Sequence, residues 1–264
     1  MPRPLIALLT DFGTRDHYVG TMKGVMAGIC AEATFVDITH DVAPQDILDG
    51  ALELAASFRY FPAGTIFLVV VDPGVGSARR ALAVESGAYR FVAPDNGVLT
   101  AALEAAGPST AVELTEPRYA LPAISRTFEG RDRFAPAAAW LATGVALAAL
   151  GRPAGDLARL AIPRPQRTAG ELRGDVLRVD RFGNLITNID RAAFDDFAPQ
   201  GIVDVRIGPR VVPRLVSTYA EVGPGEICAL FGSGDRLEIA VSGGSAADLL
   251  RVARGAPVHI ARRA

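Results

Sequence analysis

The stretch TIFLVVVDPGVGSARR, Thr65 to Arg80, decides how this 264-residue chain folds. Its apolar and β-branched run, Ile66 to Val71, predicts a fully buried strand. The strand runs directly into Asp72 and a rigid turn of proline and glycine, after which comes Arg79. Because ligands of open α/β sheets bind just beyond the carboxyl ends of strands, Asp72 lies where chemistry is expected, with Arg79 placed to fold back over it. The alternative, from this stretch alone, is an acid that only caps the next segment.

Around this stretch, strands and helices alternate through the first 165 residues. Helical spacing of apolar residues predicts three helices, at Tyr18–Ile29, Pro44–Phe58 and Leu99–Ala106. Short apolar runs predict five further strands, at Leu5–Leu9, Thr34–Ile38, Ala81–Val84, Arg90–Ala93 and Ala111–Leu114. The third and fourth of these are expected to form a hairpin around Ser86-Gly87-Ala88. This alternation predicts an α/β N-terminal domain, residues 1–165, with a largely parallel sheet.

The composition changes between Arg152 and Gly170, where prolines and glycines indicate a connection between domains. Beyond it, short alternating strands lie between Gly/Pro turns, which predicts a small all-β barrel in the C-terminal domain, residues 166–264. The strands are expected at Glu171–Val179, Leu185–Ile189, Ile202–Ile207, Ile227–Phe231 and Leu237–Val241. The end of the chain, Ala261 to Ala264, is expected to be a frayed terminus.

Charge and composition exclude several classes of function. Lys and Arg number 27 against 29 Asp and Glu, and no basic block appears, so no nucleic-acid partner is expected. The two cysteines lie far apart, and the three histidines form no metal-binding spacing, so no metal is expected. No targeting segment opens the chain, which favours a cytoplasmic location.

One apolar segment, Phe134 to Gly151, carries no charge and is long enough to raise the question of a membrane span. It consists mostly of alanine and contains Pro136, Thr143 and Gly144. We therefore expect a buried helix and no membrane association.

Two polar segments next to predicted elements carry candidate functional residues. Asp11 ends the first strand, where it is either a helix cap or a carboxylate that accepts hydrogen bonds from ribose hydroxyls. The charged segment from Thr127 to Phe134 precedes the apolar helix. Its Glu129 and Asp132 suit the helix N-terminus, but its two arginines do not, which indicates a local network or a site.

Taken together, these segments resemble one known family. The motifs LLTDFGTRDHYVGTMKGVM, VVVDPGVGSARRALA, FVAPDNGVLT, TFEGRDRFAP, VDRFGNLITNI and FGSGDRLEIAVS occur in order along nearly the whole chain. They are similar to those of the S-adenosyl-L-methionine hydroxide adenosyltransferases, the family that also contains the fluorinase and the chlorinase.

The resemblance implies an N-terminal α/β domain, a C-terminal β-barrel and a homotrimer whose sites lie at subunit interfaces. It also implies a small-molecule substrate, S-adenosyl-L-methionine, and no cofactor. Water or hydroxide would attack C5′ of the ribose, methionine would leave, and adenosine would form. The sulfonium is already a good leaving group, so the protein needs mainly to hold the nucleophile in line and away from bulk water.

The resemblance assigns Asp72 and Arg79 to the group that activates water, with Arg79 favouring the ionised carboxylate. Glu129 stands where the hydrolases usually have a histidine, in TFHGRD, as the third member of that group. Two acids that share one arginine raise the pKa of one of them, which would supply a general base near neutrality. Alternatively, Glu129 only pairs with Arg79 and turnover is slow or altered.

The same resemblance assigns substrate-binding roles. Asp11 matches the acid that holds the ribose hydroxyls, and Thr127 and Phe128 match residues beside the reacting centre. Asp180, Phe182 and Asn184 match the group that binds the methionine end, with a simple tight turn as the alternative. Tyr219 matches an aromatic that stacks on adenine, with an ordinary strand tyrosine as the alternative. A weaker match, in which Ser242 replaces the usual asparagine, places Ser233, Glu238 and Val241 along the methionine and adenine ends.

Two other functions remain open at this point. A halogenase on the same scaffold is disfavoured, because halogenating relatives have a tyrosine in place of the acid and a carboxylate at position 72 would repel a halide. The chain also lacks the long insertion that the fluorinase carries before its PNNG-like turn. A module that binds S-adenosyl-L-methionine or adenosine without turnover is the other alternative, and Glu129 keeps it open.

Overall fold

The computed structural model describes residues 3–199 and 203–262. The chain separates into two compact units, Met1–Ile162 and Pro163–Ala264. Each unit has its own hydrophobic core, and each is described separately below.

The N-terminal unit contains one seven-stranded sheet. Its strands are β1 (Leu5–Thr10), β2 (Thr34–Thr39), β3 (Ile66–Val70), β4 (Ala81–Ser86), β5 (Tyr89–Pro94), β6 (Ser109–Leu114) and β7 (Gly151–Pro153). Their order across the sheet is β2-β1-β3-β5-β4-β6-β7. The stretch that opened the sequence analysis therefore supplies a central strand, as its apolar composition predicts.

The sheet is mixed, and this corrects the expectation of a largely parallel sheet. β2, β1, β3 and β5 run parallel to one another, whereas β4 is antiparallel to both β5 and β6, and β6 is antiparallel to β7. The reason is the connection between β4 and β5, which has only two residues, Gly87 and Ala88, with Gly87 at a φ of 56°. A two-residue loop can join only antiparallel strands.

Helices cover both faces of this sheet. They are α1 (Tyr18–Ile29), α2 (Ile47–Ser57), α3 (Thr100–Ala106) and α4 (Ala135–Ala142). Alternate residues of β3 belong to two different core clusters. Ile66, Leu68 and Val70 pack in the cluster that contains α1 and α4, and Phe67 and Val69 pack in the cluster that contains α2 and α3. All five are buried, so the prediction of a fully buried strand is confirmed.

The apolar segment 134–151 is not one continuous helix. α4 ends before Thr143, Gly144 has a φ of 95°, and a separate 3₁₀ turn follows at Leu147–Leu150. Among residues 3–199 and 203–262, no helix is long and apolar enough to cross a membrane.

The C-terminal unit is built on an eight-stranded antiparallel sheet. Its strands are β8 (Gln166–Arg167), β9 (Glu171–Val179), β10 (Leu185–Asp190), β11 (Val203–Ile207), β12 (Arg210–Val212), β13 (Ile227–Phe231), β14 (Arg236–Val241) and β15 (Pro257–Arg262). The order is β12-β11-β15-β9-β10-β14-β13, with β8 paired to β9. Leu215, just beyond β12, bridges to Ala229 in β13. The two edges of the sheet therefore approach each other, and the sheet is nearly closed like a barrel.

This unit differs from the predictions in the strand β15 and in two short helices. β15 lies between β9 and β11, so Ala261 and Arg262 belong to a strand and not to a frayed end. Arg263 and Ala264, and Ile202 of the predicted strand Ile202–Ile207, lie outside the described residues. Two short helices also occur, α5 (Arg191–Phe197) and α6 (Ala246–Leu250), each capped by a side chain one residue before it.

Candidate active site

The carboxyl ends of β1 and β3 bring Asp11 and Asp72 to the same edge of the sheet. The two strands are adjacent and parallel, and Thr10 lies opposite Val70. Burial raises the pKa of Asp11; hydrogen bonds from the backbone N–H groups of Gln45 and of Asp11 itself oppose the rise, and the negative charge of Asp72 adds to it. The two carboxylates are therefore close enough to repel each other.

The segment between β2 and α2 supports Asp11. Gln45 donates its backbone N–H to Asp11 Oδ2 at 2.7 Å, and it does so from a left-handed conformation with a φ of 67°. Such a backbone is uncommon for a residue other than glycine and is often found near functional sites. α2 begins at Ile47, later than the predicted start at Pro44, because Gln45 is not helical and Asp46 is the N-cap. The Asp46 carboxylate accepts the backbone N–H of Asp49 at 3.0 Å.

Arg79 forms a two-pronged ion pair with Asp72. Its Nε donates to Asp72 Oδ1 at 2.9 Å, and its Nη2 donates to Asp72 Oδ2. The side chains are only 10% and 3% exposed, respectively. Gly76 makes the reversal of the chain possible: its φ is 76°, and a Cβ there would collide with the carbonyl of Arg126. The fold-back of Arg79 over Asp72 that the sequence predicts is therefore present.

Glu129 completes this group from another part of the chain. Arg79 Nη1 donates to Glu129 Oε2 at 2.9 Å, and Arg133 Nε lies 3.7 Å from the same oxygen. The guanidinium of Arg79 also lies over the ring of Phe134, with 5.2 Å between its central carbon and the ring centroid. Burial disfavours the charged guanidinium, but the hydrogen bonds and charges of Asp72 and Glu129 outweigh it and raise the pKa of Arg79. Asp72, Arg79 and Glu129 therefore form one connected, largely buried cluster.

Phe128 lies in an aromatic cluster that the sequence analysis missed. Its ring centroid is 5.0 Å from that of Tyr18 and 6.0 Å from that of Phe12, both in edge-on contacts, and 6.4 Å from that of His17. Thr127 is exposed, and its hydroxyl lies 3.1 Å from that of Ser125. The sequence signal for this cluster is Phe12 in the polar loop after β1 together with Tyr18 at the start of α1, which is 40% exposed.

Asp132, an acid of the charged segment that indicates a local network, holds the loop beside Glu129. Its side chain is fully buried, accepts from Arg131 Nε at 2.5 Å and Nη2 at 2.9 Å, and accepts the backbone N–H of Ser125 at 2.8 Å. It lies in a π-helical turn, Gly130–Phe134, immediately after Glu129. Turns of this kind are frequent at functional sites, and here the turn holds the loop that carries Thr127 and Phe128.

In the C-terminal unit, Asp180, Phe182 and Asn184 form one tight turn between β9 and β10. Asp180 Oδ1 accepts the backbone N–H groups of Phe182 (2.9 Å) and Asn184 (2.8 Å), and Oδ2 accepts Asn184 Nδ2 at 2.9 Å. Gly183 has a φ of 83° and packs against Ser245 without room for a side chain. These bonds leave Phe182 77% exposed at the tip of the turn. The alternative of a simple turn accounts for the hydrogen bonds but not for an exposed phenylalanine.

Tyr219 and Glu238 lie together in the same unit. The hydroxyl of Tyr219 donates to Glu238 Oε2 at 3.2 Å. Burial raises the pKa of Tyr219 to about 12, with the charges of Glu238 and Asp180 adding to it. Burial also raises the pKa of Glu238, with Asp180 again contributing and the Tyr219 hydrogen bond opposing. Asp180, Tyr219 and Glu238 are therefore electrostatic neighbours.

Among the described residues, Ser233 and Val241 form no side-chain hydrogen bond or ion pair with Asp180, Tyr219 or Glu238. Ser233 is exposed in the turn between β13 and β14. Val241 packs in the barrel core with Leu237 and Ile239, so strand alternation puts its side chain on the opposite face of β14 from Glu238.

A cavity of about 590 Å³ lies elsewhere in the N-terminal unit. It is lined by α3, by residues next to β6 and by the segment 154–159, and its lining contains none of the predicted site residues. Leu82 and Ala111 in its wall belong to the core cluster on the face of α2 and α3. Asp72 follows Val70 by two residues, so the alternation of β3 puts its side chain on the face of α1 and α4. The cavity lies on the face of α2 and α3. Within the described residues, no group of three His, Cys, Asp or Glu side chains could hold a metal ion.

The chain matches two family models. Residues 6–151 match the SAM hydroxide adenosyltransferase N-terminal domain, and residues 174–259 match the C-terminal domain of the same family. It is 41% identical over 258 residues to a protein of Salinispora tropica named (R)-S-adenosyl-L-methionine hydrolase, covering 96% of each chain. It is 34% identical over 215 residues to a fluorinase of an Actinoplanes species, covering 71% of this chain and 72% of the relative.

A solved structure has the same fold. The crystal structure of an uncharacterized conserved protein from Thermotoga maritima superposes with a TM-score of 0.92 at 36% identity, covering 97% of this chain and all of that one. The resemblance carried by the six motifs is thereby confirmed. The chain belongs to the SAM hydroxide adenosyltransferase family.

Proposed function

We propose that this protein hydrolyses S-adenosyl-L-methionine to adenosine and L-methionine. The observation that carries the proposal is the buried ion pair of Asp72 and Arg79 at the carboxyl edge of the sheet, beside Asp11. Family membership and the name of the Salinispora relative support the same substrate and reaction. S-adenosyl-L-methionine is the substrate, and the reaction calls for no further cofactor.

The proposed reaction is an in-line displacement at C5′. The oxygen of water forms a bond to C5′ while the bond from C5′ to sulfur breaks, and its electron pair stays on sulfur as the thioether of methionine. One proton of the water must leave, and Asp72 is the carboxylate that accepts or orients it. Arg79 occupies both oxygens of Asp72 and fixes the direction of their remaining lone pairs. The sulfonium needs no general acid.

Glu129 permits two roles, that of a charge partner and that of a general base. Its hydrogen bond to Arg79 supports the role of a charge partner that holds the guanidinium in place. A base role would need Glu129 to take part in proton transfer, and the variant Glu129→His separates the two. An unchanged rate and pH profile of adenosine formation in Glu129→His would remove the base role.

The substrate-binding roles follow the family resemblance. Asp11 binds the ribose hydroxyls, and Thr127 and Phe128 border the reacting carbon. The remaining proposed contacts come from residues 166–264 and bind the methionine and adenine ends: Asp180, Phe182, Asn184, Tyr219, Ser233, Glu238 and Val241. For Val241 the contact would come from its backbone, because its side chain packs in the barrel core.

We also propose a homotrimer in which the α/β domain, residues 1–165, and the barrel domain, residues 166–264, of neighbouring subunits share each site. The exposed Phe182 and the partly exposed Tyr219 support a surface that becomes covered on assembly. Light scattering coupled to gel filtration is expected to give three times 27.7 kDa. A monomeric mass for an active preparation would refute shared sites.

The product assay tests the proposed function. Purified protein is incubated with S-adenosyl-L-methionine, with and without added chloride or fluoride, and the nucleosides are separated by chromatography. Adenosine and methionine are expected in both cases, and Asp72→Ala is expected to reduce them to the rate of spontaneous decay. A 5′-halo-adenosine would identify a halogenase, and the absence of any product would identify a binding module.

A further inference from the structure

The turn Pro94–Gly97, at the end of β5, contacts both ends of the loop that carries Asp72 and Arg79. The loop begins at Val71, the last buried residue after β3, and ends at Arg80, immediately before β4. Asn96 holds the first end and Asp95 holds the second. The sequence Pro94-Asp95-Asn96-Gly97 is a strong turn signal within the motif FVAPDNGVLT, and the proposed chemistry does not use it.

Asn96 fixes the point at which the chain enters the loop. Its Nδ2 donates to the carbonyl of Val71 at 2.8 Å, and its Oδ1 accepts the backbone N–H of Val98 at 3.1 Å. The carbonyl of Val71 belongs to the peptide bond that leads into Asp72. Because a peptide unit is planar and rigid, holding this carbonyl also sets the direction in which the backbone of Asp72 leaves the strand.

Asp95 fixes the other end. Arg80 Nε donates to Asp95 Oδ2 at 2.7 Å, and the backbone N–H of Asp95 donates to the carbonyl of Arg80 at 2.9 Å. The Asp95 side chain is 7% exposed and the Arg80 side chain 31%, so the carboxylate is largely desolvated while the guanidinium stays partly exposed. Arg80 Nη1 and Nη2 also donate to the carbonyls of Gly155 and Asp156, at 2.9 Å each.

Fixing Arg80 also directs Arg79. The two residues enter strand β4, where successive side chains point to opposite faces. Arg80 is held on the side of the segment 154–158, which carries Leu157 of the core cluster of α2 and α3. Arg79 consequently points to the side of Phe134, where Asp72 and Glu129 lie.

We propose that Asp95 and Asn96 are positioning residues that hold Asp72 and Arg79 in their reactive geometry. The expected effect on kcat rests on the proposed function. The expected effect on the positions of Asp72 and Arg79 does not. Neither residue touches the reacting atoms in this account. Misplacement of a catalytic group by about 1 Å can cost about 100-fold in rate, so an effect on kcat is expected even though Asp72 and Arg79 are intact.

The first experiment compares Asn96→Ala and Asp95→Asn with the matched control Glu85→Gln. Glu85 forms a cross-strand ion pair with Arg90 in the same β4–β5 hairpin, at 2.8 Å, away from the loop. We expect kcat to fall about 10-fold to 100-fold in both test variants, with KM for S-adenosyl-L-methionine within about twofold and Glu85→Gln unchanged. An unchanged kcat in the test variants would overturn the proposal.

A double-mutant cycle separates positioning from general stability. In the Arg79→Ala background, Asp95→Asn should cause no further loss of kcat, because the group that it positions is already gone. An equal loss with and without Arg79 would mean a purely structural role and would refute the proposal. If Asp95→Asn fails to fold, Arg80→Lys replaces it in the same cycle, with the same two outcomes. Arg80→Lys keeps the positive charge but loses the paired hydrogen bonds to the carbonyls of Gly155 and Asp156.

A crystal structure of Asn96→Ala gives a readout that does not depend on activity. The expected result is a rotated peptide at Val71 and loss of at least one bond between Arg79 and Asp72. An intact ion pair would contradict the proposal. If the wild-type protein forms no adenosine, the proposed function fails, and this structure alone decides the positioning role.

Discussion

At the scale of single residues, the central feature is one arginine shared by two carboxylates. The approach of Arg79 to Asp72 could be predicted from sequence, because a strand end and a Pro-Gly turn bring residues seven apart together. Glu129 lies fifty residues further along, so only the family motif connected it to them. The contact of Asn96 with Val71 could not be predicted, because it depends on the order of β3 and β5 in the sheet.

Arg79→Lys is expected to lower kcat about 100-fold despite keeping the positive charge. A lysine has no planar fork, so it cannot bind both oxygens of Asp72 and reach Glu129 at the same time. Adenosine formation measures the effect, and the retained charge should keep the melting temperature close to that of the wild type. Activity near the wild-type level would show that charge alone suffices and that the fork is unimportant.

The raised pKa of Asp11 predicts how substrate binding depends on pH. Burial first, and the charge of Asp72 as well, hold a proton on Asp11 at a pH at which an ordinary aspartate, with a pKa of 3.8, is ionised. KM for S-adenosyl-L-methionine should therefore begin to rise above that value as the pH falls, because a protonated Asp11 accepts fewer hydrogen bonds from ribose. KM is measured against pH for the wild type and Asp11→Asn.

The same shift has a consequence for stability. A carboxyl whose pKa is higher in the folded state stabilises the fold at low pH and loses that contribution as the pH rises. Asp11→Asn should therefore raise the free energy of unfolding at neutral pH. Its KM for S-adenosyl-L-methionine should be higher than that of the wild type and should not vary over the acid range. An acid-dependent KM that persists in Asp11→Asn would assign the effect to another group.

At the scale of elements, the helices and strands with a clear apolar pattern could be predicted from sequence. The strand that forms only because its neighbours pair with it could not. α1 and the buried strand β3 follow from their apolar patterns. The β4–β5 hairpin was predicted, but the mixed sheet that follows from it was not. β15 was missed because its alternation is short, with only Val258 and Ile260 buried. β15 is a strand because β9 and β11 pair with it on both sides.

Gly76→Ala tests the turn that brings Arg79 back to Asp72. The added Cβ would meet the carbonyl of Arg126 at a left-handed backbone, so we expect a loss of about 1 to 3 kcal/mol in the free energy of unfolding. Gly24→Ala is the control, since Gly24 is exposed within α1 with nothing near it, and should gain about 0.5 to 1 kcal/mol. Urea titration measures both, and equal effects would contradict the turn's role.

The Tyr219–Glu238 pair predicts a difference in alkaline stability. Because the pKa of Tyr219 is raised from 10.0 to about 12, its contribution to the free energy of unfolding is complete below pH 10 and is lost as the pH rises to about 12. The difference in stability between the wild type and Tyr219→Phe should narrow over that range. A constant difference would mean that Tyr219 titrates normally.

At the scale of the whole molecule, each of the two units supplies its own polar cluster. The N-terminal unit holds Asp72, Arg79 and Glu129 within one hydrogen-bonded group, and the C-terminal unit holds Asp180, Tyr219 and Glu238 as electrostatic neighbours. The change in composition near residue 152 and the shift from helical to strand periodicity made two units predictable. The proposed homotrimer depends on complementary subunit surfaces, which the apolar periodicity of the sequence does not encode.

The most direct test of this account is to carry out the reaction in water enriched in oxygen-18 and to analyse both products by mass spectrometry. Attack of water on C5′ predicts that the heavy oxygen enters the 5′-hydroxyl of adenosine, that methionine stays unlabelled, and that Asp72→Ala abolishes the enzymatic incorporation. Adenosine without the label, or label incorporation that is unaffected by Asp72→Ala, would contradict the account.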